Sequence, residues 1–325
     1  MSFEFIRQGR VYFEPYDETQ ATATPSGNFY RLHTTREVSF SQTFKQEEIR
    51  ERTLHNLGRI IEGSSIKEAN PANFTFTMYL VDESSTYQHT PIDNLIQLDA
   101  DDPTRYLKRF NLYFVYADYS PAIYYKIENC FVQSGSFKIP RNGLMTVEIS
   151  GEGKKLTRNT GWSETDFAGF DSNPTYAVSK EFDVWVGGSS SSDKLDNVLG
   201  VSFEIQNNTN WTSNKNIHDS LQVTNASNTI FPTDFTLESR SMAGNISQYI
   251  DETNTNSKNN VLSWAENTTV HVKAGLSTSN YQLEITMDNN ASFTNRAGFG
   301  EVFTQDYDFR LMNNSFFSWS NVIQY

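Results

Sequence analysis

The sequence predicts a mainly β protein built from two tandem β-sandwich or barrel domains, each with a short flanking helix and a long inter-strand arm. Aromatic residues make up 14% of the 325 residues, and Asn, Ser and Thr are plentiful. Aromatic and hydroxyl-bearing side chains suit the pleated faces of sheets. Apolar and polar residues alternate with period two along the whole chain, which is the pattern of half-buried strands. The spacing of these segments also recurs between the two halves.

Eight segments carry the alternation, four in each half. The apolar positions of the first half are Val38, Phe40 and Phe44; Phe74, Phe76 and Met78; Phe110, Leu112 and Phe114; and Leu144, Val147 and Ile149. Those of the second half are Val201, Phe203 and Ile205; Phe235 and Leu237; Val270 and Val272; and Tyr307, Phe309 and Leu311. We expect each strand to bury one face and leave the other in water, as in an antiparallel sheet.

The strand spacing predicts a tandem duplication. Ser39 and Asn73 are 34 residues apart, and Ser202 and Asp234, at the corresponding places of the second half, are 32 apart. We therefore expect a first domain at 1–158, a linker at 159–178 and a second domain at 179–325. Short helices are predicted at 91–98 and 258–266, at matching places in the two halves. Two unrelated β domains with similar spacing are the alternative.

Each half has a long segment between its first two strands, at 45–70 and 207–232. Hairpin connections are usually about 2–5 residues, so these segments are too long to be turns. The first is charged but also apolar, with Ile49, Leu54, Leu57, Ile60 and Ile61. Apolar residues on such an excursion indicate an assembly arm. An arm that folds back over its own domain is the alternative.

Composition excludes several classes of protein. The net charge of -13 and the pI of about 4.9 disfavour sequence-specific DNA binding, which needs Lys and Arg to displace counterions. Cys130 is the only cysteine, so an internal disulfide and a thiolate zinc cluster are excluded. The first residues do not have the pattern of a signal peptide, and no apolar run approaches ~20 residues. We expect a soluble intracellular product without membrane insertion.

Motifs for chemistry are missing from the sequence. The five histidines are scattered, without an HExxH motif or a pair at helical spacing. The acidic residues Asp99, Asp101 and Asp102 begin like a calcium loop, but Phe110 stands where an EF-hand needs Glu. The sequence therefore predicts no catalytic residues, no metal site and no cofactor, and a protein that is not an enzyme.

The order of segments resembles the tail tube proteins of tailed bacteriophages. A strand at 9–13 and the strand at 38–44 precede the arm, and a strand at 73–81 and a short helix follow it. Two late strands come around 124–131 and 143–151. The stretch 135–147, Gly-Ser-Phe-Lys-Ile-Pro-Arg-Asn-Gly-Leu-Met-Thr-Val, carries most of the resemblance. The resemblance covers 1–158, and extends to 179–325 through the repeat.

The resemblance implies a structural virion protein of the phage tail, assembled in the host cytoplasm. In this family a sheet of each domain joins its neighbours into a continuous ring, and the rings stack into a hollow tube. Two domains in one chain imply a homotrimeric ring with pseudo-sixfold symmetry, as in some long-tailed phages. The implied partners are other copies of the chain, a tape-measure protein and tail-end proteins. Viral DNA would pass through transiently and without sequence specificity during genome ejection.

The resemblance also implies that the polar side of the alternating strands lines the lumen, and that the apolar residues of the arm contact the next ring. The candidate lumen residues are Ser39, Ser41, Thr43, Thr75, Thr77, Glu148, Ser150, Ser202, Glu204, Gln206, Thr236, Glu238, Asp306 and Asp308. Lys273 and Arg240 run against this pattern, but the wall is expected to be net acidic and to repel DNA.

Two other functions remain open from the sequence. One is a carbohydrate-binding or adhesive β-sandwich protein that stacks sugars on Trp162, Trp185, Trp211, Trp264 and Trp319, although Trp is more often packed in a core. The other is a different ring component of the tail, such as a hub or a terminator. A sugar-binding protein would stay a small species, whereas a tube protein polymerises.

Overall fold

The computed structural model describes the strand-forming parts of both halves. These are residues 9–17, 24–25, 29–51, 60–81, 109–116, 122–162, 176–187, 191–212, 229–232, 234–249, 265–277, 280–299, 303–311 and 323–324.

Nearly all of the described residues lie in strands, so the prediction of a mainly β fold is confirmed. The first half contains β1 (Gly9–Asp17), β2 (Thr24–Pro25), β3 (Tyr30–Leu32), β4 (Thr34–Ser41), β5 (Phe44–Glu51), β6 (Ile60–Ala69), β7 (Ala72–Tyr79), β8 (Phe110–Tyr116), β9 (Ala122–Pro140), β10 (Gly143–Leu144), β11 (Thr146–Gly153) and β12 (Lys155–Trp162). The second half contains β13 (Val178–Ser179), β14 (Glu181–Val186), β15 (Val198–Thr212), β16 (Thr229–Ile230), β17 (Asp234–Tyr249), β18 (Ala265–Ser277), β19 (Asn280–Phe299), β20 (Phe303–Leu311) and β21 (Ile323–Gln324).

The predicted helices lie almost entirely outside the described residues. This holds for all of 91–98 and for 258–264, whereas Ala265 and Glu266 open β18 and are therefore not helical. A 3₁₀ turn at Ser191–Asp193 is the helical element of the described part. Within the described ranges, no helix has the length and apolar character that crossing a membrane requires.

The principal sheet runs through both halves of the chain. Its strand order is β14-β18-β19-β20-β17-β15-β9-β11-β7-β4, with antiparallel neighbours throughout. The halves meet where 200–206 of β15 pair with 134–140 of β9, from Gly200 opposite Pro140 to Gln206 opposite Ser134. We call this pairing the seam. It makes one continuous sheet from two separate stretches of sequence.

The strand pairing of the first half recurs in the second. The orders β4-β7-β11-β9 and β15-β17-β20-β19 correspond strand by strand. Both β9 and β19 are long and change partners midway. The first part of β9 pairs with β8 and β12, and the first part of β19 pairs with β18 and β21. Tandem duplication would produce this correspondence, while the domain boundaries themselves remain a prediction.

The ends of the predicted linker belong to strands. Residues 159–162 complete β12, and Val178 begins β13. Residues 163–175 lie outside the described residues.

The core lies on the apolar side of the principal sheet. On β7, for example, Phe74, Phe76 and Met78 are buried while Thr75 and Thr77 are not. The same core continues over the second half, and the stacked rings of Phe137 and Phe203, 4.2 Å apart, join it across the seam.

The expectation that every strand leaves one face in water is wrong for β8. Residues 110–115 of this strand are all buried. The main core covers one face, and a second cluster covers the other. That cluster contains Tyr12, Tyr113 and Val115, with Phe29 and Tyr124 packed against it. On that face Tyr12 of β1 pairs with Tyr113 and Tyr124 of β9 pairs with Val115, so large cross-strand neighbours bury it and β8 has no exposed side.

The predicted strand at 38–44 is divided in the structure. β4 ends at Ser41, and Phe44 begins β5 with 56% of its surface exposed. Between them, the side chain of Gln42 donates to the carbonyls of Asn70 and Lys154 and accepts from the backbone N–H of Leu156. These bonds hold the chain where it leaves the principal sheet.

The first arm is a β-hairpin. β5 and β6 pair antiparallel, and β16 of the second half adds to β6 in parallel. Ile49 lies in β5 and Ile60 and Ile61 lie in β6, whereas Leu54 and Leu57 fall outside the described residues. In the second segment, 207–212 continue β15, and 213–228 are not described.

Two glycines of the principal sheet differ in the space around them, which gives a stability test. A Cβ on Gly244 would lie 2.3 Å from the ring of Phe309 and 2.6 Å from the carbonyl oxygen of Ser202. A Cβ on Gly200 would meet only the carbonyl oxygen of Ile139, at 3.6 Å. We expect Gly244→Ala to lower the free energy of unfolding by about 1–3 kcal/mol through overpacking. Gly200→Ala is the control and should change it by less than about 1 kcal/mol.

Urea denaturation followed by circular dichroism measures both variants. Equal stability of the two would contradict the close packing of β17 against β20.

Candidate functional site: the polar face of the sheet

The side of the principal sheet opposite the core forms a continuous polar surface, which we call the polar face. Cross-strand register aligns its residues in rows that cross the seam. One row is Ser39, Thr75, Ser150, Ser134 and Gln206. A second is Thr77, Glu148, Ser136 and Glu204, and a third is Thr146, Lys138, Ser202, Asn245 and Asp308.

The structure brings most of the candidate lumen residues onto this one face. Ser41 pairs with Asn73 at its edge, and Asp306 lies beside Ser247. Thr236 and Glu238 are exposed near Asn210, where β15 and β17 extend beyond the seam. Thr43 is exposed but stands between β4 and β5, where its side chain accepts from the Asn70 amide at 2.7 Å. Thr43 is therefore not on the sheet.

The polar face carries more acidic than basic side chains. The acidic ones are Glu148, Glu204, Glu238, Asp306 and Asp308. Of the basic ones that the structure describes there, Lys138 lies 3.9 Å from Glu148, and Arg310 is exposed opposite Ala243. The two carboxylates of β20 are held by neighbours on β17. Ser247 donates to Asp306 at 2.5 Å, and Asn245 donates to Asp308 at 3.0 Å.

The two basic residues that ran against the predicted pattern are neutralised or buried elsewhere. Lys273 on β18 lies 3.2 Å from Glu284. Arg240 is only 5% exposed, and its Nε donates to Asn207 at 2.8 Å. Burial lowers the pKa of Arg240 to about 9. Neither contributes positive charge to the polar face.

The seam is reinforced by side chains at the end where the arm leaves the sheet. Asn207 donates to the carbonyl of Val132 at 2.9 Å. The indole of Trp211 donates to Glu152 at 2.7 Å, and the rings of Phe131 and Phe235 are 3.9 Å apart. Each contact joins the first half to the second. Sequence reasoning missed this group because its members lie far apart in the chain.

Glu152 is a half-buried carboxyl within this reinforcement. Desolvation by burial raises its pKa, and hydrogen bonds from Trp211 and Gln133 oppose that shift without cancelling it. Its protonated form is therefore favoured in the folded state relative to the unfolded chain.

Neither of the two tryptophan rings that the structure describes offers an open aromatic platform on which a sugar could stack. Trp185 stacks on His271 with the ring centres 4.9 Å apart. Trp211 packs against Phe131 and Phe235. For Trp162 only the backbone is described, and Trp264 and Trp319 lie outside the described residues.

Both outer edges of the repeated strand sets lack a partner within the described ranges. Within these ranges β4 pairs with β7 alone, and 294–299 of β19 pair with β20 alone, whereas Phe293 also pairs with Ala265 of β18. In the corresponding positions at the seam, β15 and the second part of β9 pair with each other. The outer edges of the two strand sets, on β4 and on 294–299 of β19, are therefore of the same two types that pair with each other at the seam.

The described residues include no group of three or more His, Cys, Asp or Glu side chains placed to hold a metal ion. The arrangement offers edges and faces for contact with other macromolecules.

The raised pKa of Glu152 predicts a pH dependence of stability. A raised carboxyl pKa means that the folded state binds the proton more tightly, so stability is lost as the pH rises from the unfolded value through the folded one. Glu152→Gln keeps an acceptor for Trp211 without the buried charge. We expect this variant to melt no lower than the parent protein at pH 7, and the advantage to vanish or reverse near pH 4.

Thermal melts between pH 4 and pH 8 test this expectation. Glu148→Gln, an exposed change on the same strand, is the control and should leave the pH profile unaltered. A lower melting temperature of Glu152→Gln at pH 7 than at pH 4, relative to the parent, would refute it.

One comparison with known proteins identifies a family. The chain matches the family model of the Bacteriophage Baseplate Tube Protein Family over residues 18–318, which is most of its length. No curated protein matches the chain. The match extends through both strand sets and the seam between them. The chain therefore belongs to the Bacteriophage Baseplate Tube Protein Family.

Proposed function

We propose that three copies of this chain form a ring of the phage tail tube at the baseplate, with the polar face lining the channel through which DNA passes. Membership of the family makes the chain a structural component of the phage tail and of the virion, and favours a structural role over an enzymatic one. The observation that carries the proposal is the seam, where two corresponding strand sets join head to tail.

The seam supplies a template for contacts between chains. Because β15 corresponds to β4 and β9 corresponds to β19, repeating the seam pairs β4 of one chain with 294–299 of β19 in the next. Such a head-to-tail contact closes into a ring when its rotation closes. Closure of the ring also pairs the open edges of β4 and β19, whose free backbone groups could otherwise cause aggregation.

The proposal of three copies per ring rests on the two corresponding strand sets in each chain. If each set occupies one sixth of the circle, three chains complete a ring with pseudo-sixfold symmetry. This agrees with the homotrimer that the resemblance to tail tube proteins implies.

The polar face is the side that can face the channel. The apolar side is covered by the core shared with β1 and β8, so exposing it to water would cost hydrophobic free energy. The remaining side is polar and net acidic. At physiological salt its field reaches about 8 Å into the channel, where it repels phosphates instead of holding them. DNA would therefore pass without being retained.

The family name favours a position at the baseplate over the long part of the tail tube. A hub would use the same ring contact, so the closure of the ring is the property to test first.

Disulfide cross-linking across the proposed contact tests the ring. Ser39→Cys on β4 and Thr294→Cys on β19 place one thiol on each open edge, and Ser41→Cys with Thr294→Cys tests a register shifted by two residues. The native Cys130 is fully buried, and desolvation raises its pKa well above the usual value, so it should not react. We expect one of the two pairs to give covalent dimers and trimers on oxidation, with no larger closed species.

Ser39→Cys with Thr160→Cys is the matched control, since Thr160 is exposed on β12 away from both open edges. The proposal is contradicted if neither pair cross-links and light scattering shows a monomer at every concentration.

Charge reversal on the polar face tests the channel. Glu148 and Glu204 lie in one row on opposite sides of the seam, with Ser136 between them. Assembled parent protein should not retain short duplex DNA, whereas Glu148→Lys with Glu204→Lys would place six lysines in each ring. We expect the variant to retain DNA, and its affinity to fall roughly 10³-fold between 50 and 200 mM salt.

Glu128→Lys with Asp193→Lys, the same change of charge where β9 pairs with β12 and in the 3₁₀ turn, away from the rows of the polar face, should retain no DNA. Retention by the parent protein, or none by the polar-face variant, would show that this face does not line the channel.

A further inference from the structure

The two strand sets, β4-β7-β11-β9 and β15-β17-β20-β19, can be matched residue by residue through one phenylalanine–glycine contact in each. In the first set, the ring of Phe74 on β7 lies against Gly151 on β11 and leaves no space for a Cβ there. In the second set, the ring of Phe309 on β20 lies against Gly244 on β17 in the same way. The large and the small residue have exchanged strands between the two sets.

This match assigns a counterpart to each residue at the open edge of β4. The cross-strand partners of the β7 and β17 residues are Phe40 on β4 and Phe203 on β15. Four residues further along the chain stand Phe44 and Asn207, respectively. Asn207 is 3% exposed and donates to the carbonyl of Val132 on β9 across the seam. Phe44, at 56%, is the most exposed large hydrophobic residue of the described ranges. The position is covered where the seam is made and uncovered at the open edge.

The strand set that ends on β19 differs from the seam in the same way. Immediately after the phenylalanine–glycine contact comes one further cross-strand pair, Phe131 with Glu152 in the first set and Ser292 with Arg310 in the second. Glu152 is half-buried and accepts from Trp211 across the seam. Arg310, its counterpart, is exposed. Positions that the seam covers are therefore uncovered on both open edges.

Side-chain sizes at the seam and at the open edges are complementary. At the seam, the smaller residue, Asn207, is on β15 and the larger, Phe131, is on β9. At the open edges, the larger residue, Phe44, follows β4 and the smaller, Ser292, is on β19. Exchange of a large and a small residue keeps the total volume of a contact, which packed interfaces tolerate well. The phenylalanine–glycine contacts show the same exchange inside the sheet.

We infer that Phe44 is the apolar anchor of the contact between neighbouring chains of one ring, packing against 292–294 of β19 in the next copy. The inference rests on the proposed function, because it assigns the residue that stabilises the ring contact proposed there. Large side chains that lose their exposure near the centre of an interface usually supply most of its binding energy.

The difference between Phe44 and Asn207 has a physical reason. The two strands of the seam belong to one chain, so their association costs no translational freedom. The contact between chains has to offset that loss before any affinity remains. An apolar side chain that becomes buried only on association supplies a driving force that the seam does not need.

Phe44→Asn gives the open edge the residue found at the corresponding position of the seam. Because Phe44 is exposed, the melting temperature of the monomer should not change. We expect the dissociation constant of the ring to rise about tenfold or more, where tenfold corresponds to about 1.4 kcal/mol. Sedimentation velocity over a concentration series measures it. Tyr116→Asn is the matched control, because Tyr116 is 42% exposed where β8 pairs with β1 and β9, away from both open edges. It should assemble as the parent does.

Photo-cross-linking locates the surface that Phe44 contacts. Phe44→p-benzoylphenylalanine keeps an aromatic side chain at this position, and rings mixed from isotope-labelled and unlabelled chains separate links between chains from links within one. Mass spectrometry of the digested rings should find links from position 44 to 292–294 of another chain. Links to any other surface, or only within one chain, would refute the anchor.

The outcomes distinguish the anchor from the ring itself. A parent protein that forms no ring refutes the proposed function and the anchor together. A parent that forms rings, with Phe44→Asn assembling at the parent's dissociation constant, refutes the anchor and leaves the ring in place. Equal weakening by Tyr116→Asn also refutes the anchor, since the effect would then not be specific to the open edge of β4.

Discussion

The backbone groups at the edges of the long sheet are the constraint on which the rest of the structure depends. An edge strand presents a row of unpaired N–H and C=O groups that can pair with another chain. Inside this molecule one such pair of edges is already satisfied, where 134–140 of β9 meet 200–206 of β15. The aromatic pair of Phe137 and Phe203 and the Trp211–Glu152 hydrogen bond hold that contact from the core side and from one end. The outer edges of β4 and of 294–299 in β19 are of the same two types, which is the basis of the proposed ring.

The division of the sheet into an apolar and a polar side follows from this arrangement. The apolar side packs against a second layer of strands, which in the first half includes β1 and β8. The polar side then has to remain in water, and its acidic rows cross the seam without interruption. This continuity through both halves is the reason for proposing a channel wall and not a local binding pocket.

The sequence predicts the faces of the sheet well because alternation is a local property. On β7, for example, the alternation is enough to assign both sides: Phe74, Phe76 and Met78 face the core, and Thr75 and Thr77 face away from it. It fails at β8, where the second face is buried by the cross-strand neighbours Tyr12 and Tyr124 and by the ring of Phe29. It also fails at Gln42, which ends β4 through bonds to residues about 28 and 112 positions away. The partners of β9 could not be predicted, since several strands share its pattern and only the tertiary structure selects β15. Considered from sequence alone, Trp211 suggests sugar stacking. Its actual role in reinforcing the seam depends on Glu152 and Phe131, which are distant in sequence, so it could not be predicted.

Cryo-electron microscopy of the assembled protein tests ring closure most directly. We expect threefold rings in which β4 of each chain is hydrogen-bonded to 294–299 of β19 in the next, with Glu148 and Glu204 facing the channel. A two-fold dimer, or a ring in which β4 stays unpaired and the polar face lies outside, would contradict this mode of assembly.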